Sequence, residues 1–176
     1  NIDFFIAGQG ILESNLKKLA NGYKNIYFLG NVDEPKKFLL KMDMIVVPSI
    51  REPLGNTIIE AGYCKKPVIA ANVDGIPEII ENGKSGLLID PDQNLSLNEI
   101  PKGAIPIPEL VINPTKQELQ KPKEISHLKL CESILKLKEN PSLRKNYGEN
   151  LYKSVREKFN IETYFNELEN IYKIFH

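Results

Sequence analysis

Short apolar runs alternate with amphipathic stretches through the first half of the chain. The apolar runs are rich in Ile, Val and Phe and predict strands at residues 2–7, 26–29, 44–48, 67–71 and 86–89. Apolar residues at helical spacing predict helices near residues 11–21, 34–42, 55–64 and 76–82. Because strands and helices alternate, we expect a parallel sheet covered on both faces. The predicted fold class is α/β, with a Rossmann-like doubly wound parallel sheet.

The alternation stops between residues 95 and 125. Prolines interrupt every helix that could be drawn there, at Pro101, Pro106, Pro108, Pro114 and Pro122. Connections of this length without secondary structure are uncommon in compact domains. We therefore expect an irregular, proline-rich insertion over residues 95–125.

Helical spacing returns in the last part of the chain. Helices are predicted from Leu128 to Leu137, from Ser142 to Phe159, and from about Ile161 onwards. The last helix has an apolar side made of Tyr164, Phe165, Leu168, Ile171, Tyr172 and Phe175. The chain thus divides into a Rossmann-like core at 1–94, the insertion at 95–125, and helices at 126–176 that pack on the same domain.

Charge is balanced along the chain, with 23 basic and 23 acidic residues and a formal net charge of +0. Such a balance does not favour nucleic acid as a partner. No apolar run approaches the length of a membrane span, and no stretch of residues 1–176 has the pattern of a signal peptide. A cytoplasmic location is therefore expected.

The cysteines and histidines do not indicate a metal site. Cys64 and Cys131 lack the spacing of metal ligands, and we interpret them as small buried hydrophobic residues rather than a disulfide. His127 and His176 have no carboxylate or Cys companions at triad or metal spacing, so we interpret them as surface histidines.

The strongest candidate for a binding site is the segment Arg51–Ala61, which follows a predicted strand. The N–H groups from Leu54 to Thr57 begin its helix, have no acceptor within that helix, and lie at the positive end of its dipole. Glu52 lies in the loop beside them, and Glu60 lies about 6 Å further along the axis at about 1.5 Å per residue. A nucleotide sugar would meet amides at its diphosphate and a carboxylate at each sugar.

This segment resembles the donor-binding motif of retaining glycosyltransferases with the GT-B fold, of the family 4 or group 1 type. In that motif a Glu, seven residues and a second Glu lead into an Ala. Further blocks match the family in the family's order, namely Phe5–Gly10, Ile26–Val32, Met42–Ser49, Asp74–Glu78 and Gly83–Leu88. The resemblance is close over residues 3–92 and looser over residues 127–176.

The resemblance implies transfer of a sugar, a hexose or another glycosyl group, from a nucleotide-diphosphate donor to a hydroxyl acceptor. The anomeric configuration would be retained, without a metal or other cofactor, in bacterial cell-surface polysaccharide or lipopolysaccharide synthesis. Glu52 would bind the donor sugar as the catalytic residue, Glu60 would bind the ribose, and main-chain atoms of Gly30–Val32 would contact the base. The implied substrate-binding residues are Glu52, Pro53, Leu54, Gly55, Asn56, Thr57, Glu60, Gly30, Asn31 and Val32.

The resemblance also implies that this chain is the C-terminal, donor-binding part of a larger enzyme. The first residue is Asn rather than Met, and the family's first strand in this domain has no counterpart before Ile2. Expected partners are the donor, a sugar or lipid-linked acceptor, and a missing N-terminal domain that could associate peripherally with the inner face of the membrane. The chain by itself is expected to be inactive.

Two structural expectations follow from the same resemblance. In the doubly wound strand order 3-2-1-4-5-6 the first strand is central, and the strand at 2–7 corresponds to the second. Because the first strand has no counterpart here, a gap should separate the strands at 2–7 and 44–48, and the isolated chain should be poorly stable. Lys65 occupies a position that the family usually gives to Gly. A left-handed backbone there costs Lys about 1 kcal/mol more than Gly.

Simpler interpretations of these residues stay open. Glu52 and Glu60 can be solvated surface carboxylates, and Arg51 can either approach a phosphate or neutralise Glu52. The role of Gly8 and Gly10 can be limited to a tight turn between strand and helix.

Asp43 suits a helix end or strand entry, and Glu78 suits the start of a helix. Two rival functions also remain. One is a GT-B relative that epimerises or phosphorolyses sugars, and the other is a non-catalytic Rossmann-like module.

Overall fold

The computed structural model describes residues 1–96, 102–104 and 106–174. Strands and helices alternate as the apolar pattern predicts, and the predicted elements of the first 90 residues are all present, each somewhat shorter except the strand predicted at 26–29, which extends by one residue to Gly30. The strands are β1 (Phe4–Ala7), β2 (Ile26–Gly30), β3 (Ile45–Val47), β4 (Val68–Ala71), β5 (Leu87–Ile89), β6 (Val111–Asn113) and β7 (Glu118–Gln120). The helices are α1 (Glu13–Leu19), α2 (Pro35–Lys41), α3 (Asn56–Tyr63), α4 (Ile76–Ile79), α5 (His127–Glu139), α6 (Pro141–Lys158) and α7 (Ile161–Ile174).

The core is built on a parallel sheet in the order β3-β4-β5. All four residues of β4 are buried, as expected for a central strand that has helices on both faces. β1 and β2 form a separate parallel pair, and every residue of β1 is exposed. The Rossmann-like α/β class is confirmed, but the sheet is divided into two parts.

A cleft of about 510 Å³ lies between β1 and β3. The Phe4 N–H donates to Asn25 O at 2.8 Å, so the main-chain groups of Phe5 point away from β2 and towards the cleft. On the other side, the Ile45 N–H donates to Pro67 O at 3.0 Å, which turns the main chain of Val46 towards the cleft. β1 and β3 do not pair, so the predicted gap between them is confirmed.

The C-terminal helices α5 and α6 pack on the sheet and on α3. Leu151 and Val155 of α6 are fully buried and reach the hydrophobic cluster that holds Ile58 and Ala61 of α3. Leu137 of α5 is buried in a second cluster with β4 and β5. Helix α7 has no buried residue, and its Tyr164, Phe165, Ile171 and Tyr172 are exposed.

The structure corrects the prediction for the insertion. Part of residues 95–125 is not irregular, because β6 and β7 form an antiparallel hairpin in which Ile112 faces Leu119. Pro114 follows the last residue of β6 and therefore does not interrupt the ladder. Gln117 adopts a left-handed conformation in the turn, with φ of +55°.

A second correction concerns the cysteines. Both thiols are free, and Cys64 is buried as predicted, but Cys131 is exposed. In α5 the apolar side that meets the core contains Leu130, Ile134 and Leu137, at spacings of four and three residues. Cys131 lies beside this stripe rather than on it.

His127 is exposed, in agreement with its interpretation as a surface residue. His176 and Phe175 lie outside the described residues. Among the described helices, none is long and apolar enough to cross a membrane.

Candidate functional site

The candidate site is the connection between β3 and α3. It ends at Gly55, which is buried and left-handed with φ of +96°, and α3 begins at the next residue, Asn56. A Cβ at position 55 would lie 3.1 Å from the Ile58 side chain and 3.3 Å from that of Ile79. Both the backbone angle and the available space therefore favour glycine at the start of this helix.

The first turn of α3 offers N–H groups to a ligand. Gly55 O accepts from the N–H groups of Ile58 at 2.9 Å and Ile59 at 3.1 Å, and no side chain caps the helix. Within the part of the chain that the structure describes, the N–H groups of Asn56 and Thr57 have no acceptor. Both residues are exposed, so these donors can be reached from solvent.

The two carboxylates of the motif lie on either side of this turn in sequence. Glu52 is half-buried in the loop, and among the described residues its carboxylate accepts one long hydrogen bond, from Ser49 Oγ to Oε2 at 3.5 Å. Glu60 is exposed on α3, one turn beyond Thr57, and forms no ion pair among the described residues. Both carboxylates therefore retain acceptor capacity for hydroxyl groups of a ligand.

The main chain of the loop is held by the segment that follows β4. The Glu52 N–H donates to Asp74 Oδ2 at 3.1 Å, and Glu52 O accepts from the Gly75 N–H at 3.3 Å. A Cβ at Gly75 would lie 2.2 Å from Pro53 O, so only glycine allows this close approach. The position of Glu52 thus depends on a second loop as well as on its own.

The predicted binding segment Gly30–Val32 meets the glycine turn at Gly8 where β1 and β2 end. The Gly8 N–H donates to Gly30 O at 2.7 Å, and a Cβ at Gly30 would lie 3.4 Å from the Gln9 amide. Asn31 is exposed and Val32 is half-buried in the loop that leads to α2. These residues lie at the C-terminal ends of their strands, the edge at which ligands of open α/β sheets bind.

The residues for which simpler interpretations stayed open lie at different places in the fold. Asp43 lies two residues before β3, at the opposite end of that strand from the motif. Glu78 lies in the first turn of the short helix α4, which agrees with a favourable interaction with the helix dipole. Arg51 is exposed, and no ion pair with Glu52 is formed among the described side chains.

Asp74 is the residue at this site to which the sequence assigned no role. It stands at the start of the Asp74–Glu78 block, and the Asp-Gly pair signals a turn. Its contact with Glu52 joins residues separated by 22 positions, which no local pattern encodes. No group of three or more potential metal ligands is present among the described residues.

Comparison with known proteins assigns the chain to a family. The family model described as "Glycosyl transferases group 1" matches residues 1–99, more than half of the chain. The chain therefore belongs to the group 1 glycosyltransferases, and the predicted family is confirmed.

The curated relatives include enzymes of surface polysaccharides. The chain is 28% identical over 151 residues to the capsular polysaccharide biosynthesis glycosyltransferase CapM of Staphylococcus aureus, a match that covers 86% of the chain and 31% of that protein. It is 33% identical over 89 residues to the lipopolysaccharide core biosynthesis glycosyltransferase LpsE of Rhizobium meliloti, covering 49% of the chain and 26% of that protein. The chain spans about a third of the length of such relatives.

Solved structures confirm the fold. The chain superposes on HepE of Anabaena in complex with UDP-glucose with a TM-score of 0.70 and 19% identity, covering 97% of the chain and 40% of that protein. At this level of identity the likeness concerns the fold alone. The structural neighbours are GT-B glycosyltransferases, as the sequence predicts.

Proposed function

We propose that this chain forms the donor-binding part of a retaining glycosyltransferase that uses a nucleotide-diphosphate sugar. The observation that carries the proposal is the first turn of α3, where the free N–H groups of Asn56 and Thr57 stand between the carboxylates of Glu52 and Glu60 in the chain. Such a turn suits a phosphate, and the carboxylates suit the hydroxyls of two sugars. Membership of the group 1 glycosyltransferases supports the same ligand.

In this proposal each residue of the motif has its own role. Glu52 contacts the donor sugar as the catalytic residue, Glu60 accepts from the ribose hydroxyls, and main-chain atoms of Gly30, Asn31 and Val32 contact the base. The segment Pro53–Thr57 surrounds the sugar and the distal phosphate. The UDP and UDP-glucose complexes of the structural neighbour HepE make UDP the first nucleotide to test.

The chemistry follows from this arrangement. The sugar leaves the diphosphate as positive charge develops at the anomeric carbon, and the Glu52 carboxylate stabilises that charge. The acceptor hydroxyl attacks on the same face, and its proton passes to the leaving diphosphate. The protein therefore contributes mainly positioning and electrostatic stabilisation, without a metal or other cofactor.

The rest of the enzyme belongs to the same proposal. In this proposal an N-terminal domain outside this chain binds the acceptor, which is a sugar or a lipid-linked sugar. The complete enzyme is cytoplasmic and works at the inner face of the membrane. Surface polysaccharide or lipopolysaccharide synthesis is the pathway class, in keeping with the relatives CapM and LpsE.

Substitution of the two carboxylates tests the proposal on the longest polypeptide that carries this chain. Glu60→Ala should weaken UDP binding by about 1.5–3 kcal/mol, the usual range for hydrogen bonds that involve a charged group. Glu52→Ala should mainly lower kcat, because its contacts strengthen as charge develops in the transition state. Calorimetry with UDP and steady-state kinetics with a UDP-sugar measure the two effects.

Glu139→Ala is the matched control, because Glu139 is an exposed glutamate at the end of α5 and lies outside the motif in the chain. If Glu60→Ala left UDP affinity unchanged while Glu52→Ala abolished it, the two roles would be reversed. If neither substitution had an effect, the motif would not be a donor site. Product analysis that finds an epimerised sugar or a sugar phosphate would replace transfer with one of the rival reactions.

A further inference from the structure

The side chain of Asp74 joins two parts of the molecule that the proposed function treats separately. One carboxylate oxygen, Oδ2, accepts from the Glu52 N–H at 3.1 Å, and the other, Oδ1, accepts from the Ile112 N–H at 2.8 Å. The Asp74 N–H in turn donates to Ile112 O at 3.2 Å. A single residue thus connects the motif loop to strand β6 of the hairpin.

The backbone of Asp74 indicates that this arrangement is specific. Asp74 is left-handed, with φ of +47°, a conformation that asparagine and aspartate tolerate better than most residues but that glycine adopts freely. A turn alone would therefore be satisfied by glycine. The carboxylate adds two hydrogen bonds to main-chain amides, which are stronger than neutral ones because the acceptor is charged.

The hairpin that Asp74 holds forms one wall of a second cleft beside the motif. This cleft has a volume of about 580 Å³. Leu110, Ile112 and Leu119 line it from the hairpin side, and Arg51 and Pro53 line it from the motif. Asp74 is hydrogen-bonded to both walls of this cleft. A displacement of the hairpin would therefore also move Arg51 and Pro53, the residues on either side of Glu52.

We propose that Asp74 is a positioning residue for the candidate site, which fixes the main chain of Glu52 and couples it to the β6–β7 hairpin. The inference rests on the proposed function, since it assigns Asp74 a part in placing the donor-sugar carboxylate. Asp74 itself touches neither the sugar nor the nucleotide. Its effect passes through the Glu52 N–H and through the hairpin wall.

Asp74→Gly is the first test, because glycine keeps the left-handed backbone and removes both carboxylate contacts. We expect kcat to fall by about tenfold or more, towards the roughly hundredfold loss that a misplacement of about 1 Å can cause. UDP affinity should change by less than about twofold, because Glu60 and the amides of α3 remain in place. Asp74→Asn, which keeps one acceptor oxygen, should recover part of the lost turnover.

Gln117→Gly is the matched control. Gln117 is another left-handed residue, exposed in the turn of the same hairpin, and among the described residues its main chain donates to Asn113 O at 2.8 Å and forms no hydrogen bond with the motif. This substitution makes the same chemical change to the backbone without affecting Glu52. It should leave kcat and UDP affinity unchanged.

A double-mutant cycle with Glu52→Gln separates positioning from a purely structural role. If Asp74 acts through Glu52, Asp74→Gly should lower kcat much less in the Glu52→Gln background than in the wild type. Equal losses in both backgrounds, or an unchanged kcat for Asp74→Gly, would overturn the inference while leaving the proposed function intact. Absence of UDP binding by the wild type would overturn both.

Discussion

At the scale of the residue, backbone conformation shapes both ends of α3 and the loop beside it. Gly55 starts the helix in a left-handed conformation, and Lys65 follows its last turn with φ of +56°, the left-handed conformation considered for this position. Gly75 allows the main chain after β4 to lie against Pro53. The geometry of the motif is therefore encoded in a few positions where a Cβ is costly.

Gly75→Ala tests the close contact with Pro53. The new Cβ would lie 2.2 Å from Pro53 O, so one of the two loops must move. We expect a loss of about 1–3 kcal/mol in the free energy of unfolding, the usual cost of overpacking. Denaturant unfolding of both proteins measures it.

Gly10→Ala is the control for this change, because nothing lies within 4 Å of a Cβ built at Gly10. It should leave stability nearly unaltered. Equal stabilities for Gly75→Ala and Gly10→Ala would show that the two loops are not packed together as described.

At the scale of the element, α6 supports the helix that carries the site. Leu151 is fully buried and belongs to the same cluster as Ile58 and Ala61 of α3. A Cβ at Gly62 would lie 2.9 Å from Val155 Cγ1, which shows how closely the two helices approach. Helix α6 is thus part of the domain that presents the motif.

Leu151→Ala should destabilise the protein by about 2–5 kcal/mol, the range for large-to-small changes in a core. Leu128→Ala makes the same chemical change on α5, where the side chain is 64% exposed, and should cost less than about 0.5 kcal/mol. Thermal or denaturant unfolding distinguishes the two. Similar costs for both variants would contradict the packing of α6 against α3.

At the scale of the whole molecule, the sheet is divided. The residues of β4 are 0–1% exposed, whereas Phe4, Phe5 and Ile6 of β1 are each about 40% exposed. The strands β1 and β2 are hydrogen-bonded to each other, and the cleft separates this pair from β3. Burial, and with it stability, is therefore concentrated in β3, β4 and β5.

Amide hydrogen exchange should reveal this division. The Phe4 and Ile45 N–H groups are both hydrogen-bonded, at 2.8 and 3.0 Å, yet Phe4 should exchange roughly a hundredfold faster, because local opening near exposed strands requires less free energy. Phe5 and Val46, whose amides point towards the cleft, should exchange faster still. Equal protection of Phe4 and Ile45 would contradict the division.

The sequence alone determined the order of strands and helices, the start of α3 at Gly55 and the gap beside β1. These features follow from local periodicity, from turn residues and from the family motif, all of which can be read along the chain. The resemblance also identified the group 1 glycosyltransferases, which the family match confirms. The roles of Glu52 and Glu60 remain proposals.

Only the tertiary structure determined the surroundings of the motif. Asp74 is hydrogen-bonded to Glu52, 22 positions away, and to Ile112, 38 positions away. Ile112 belongs to a hairpin in the segment that its prolines made us predict as irregular. Likewise, the exposure of Cys131 depends on which side of α5 meets the sheet. Contacts between distant segments depend on how the elements pack together, and a local pattern of apolar and polar residues does not record that packing.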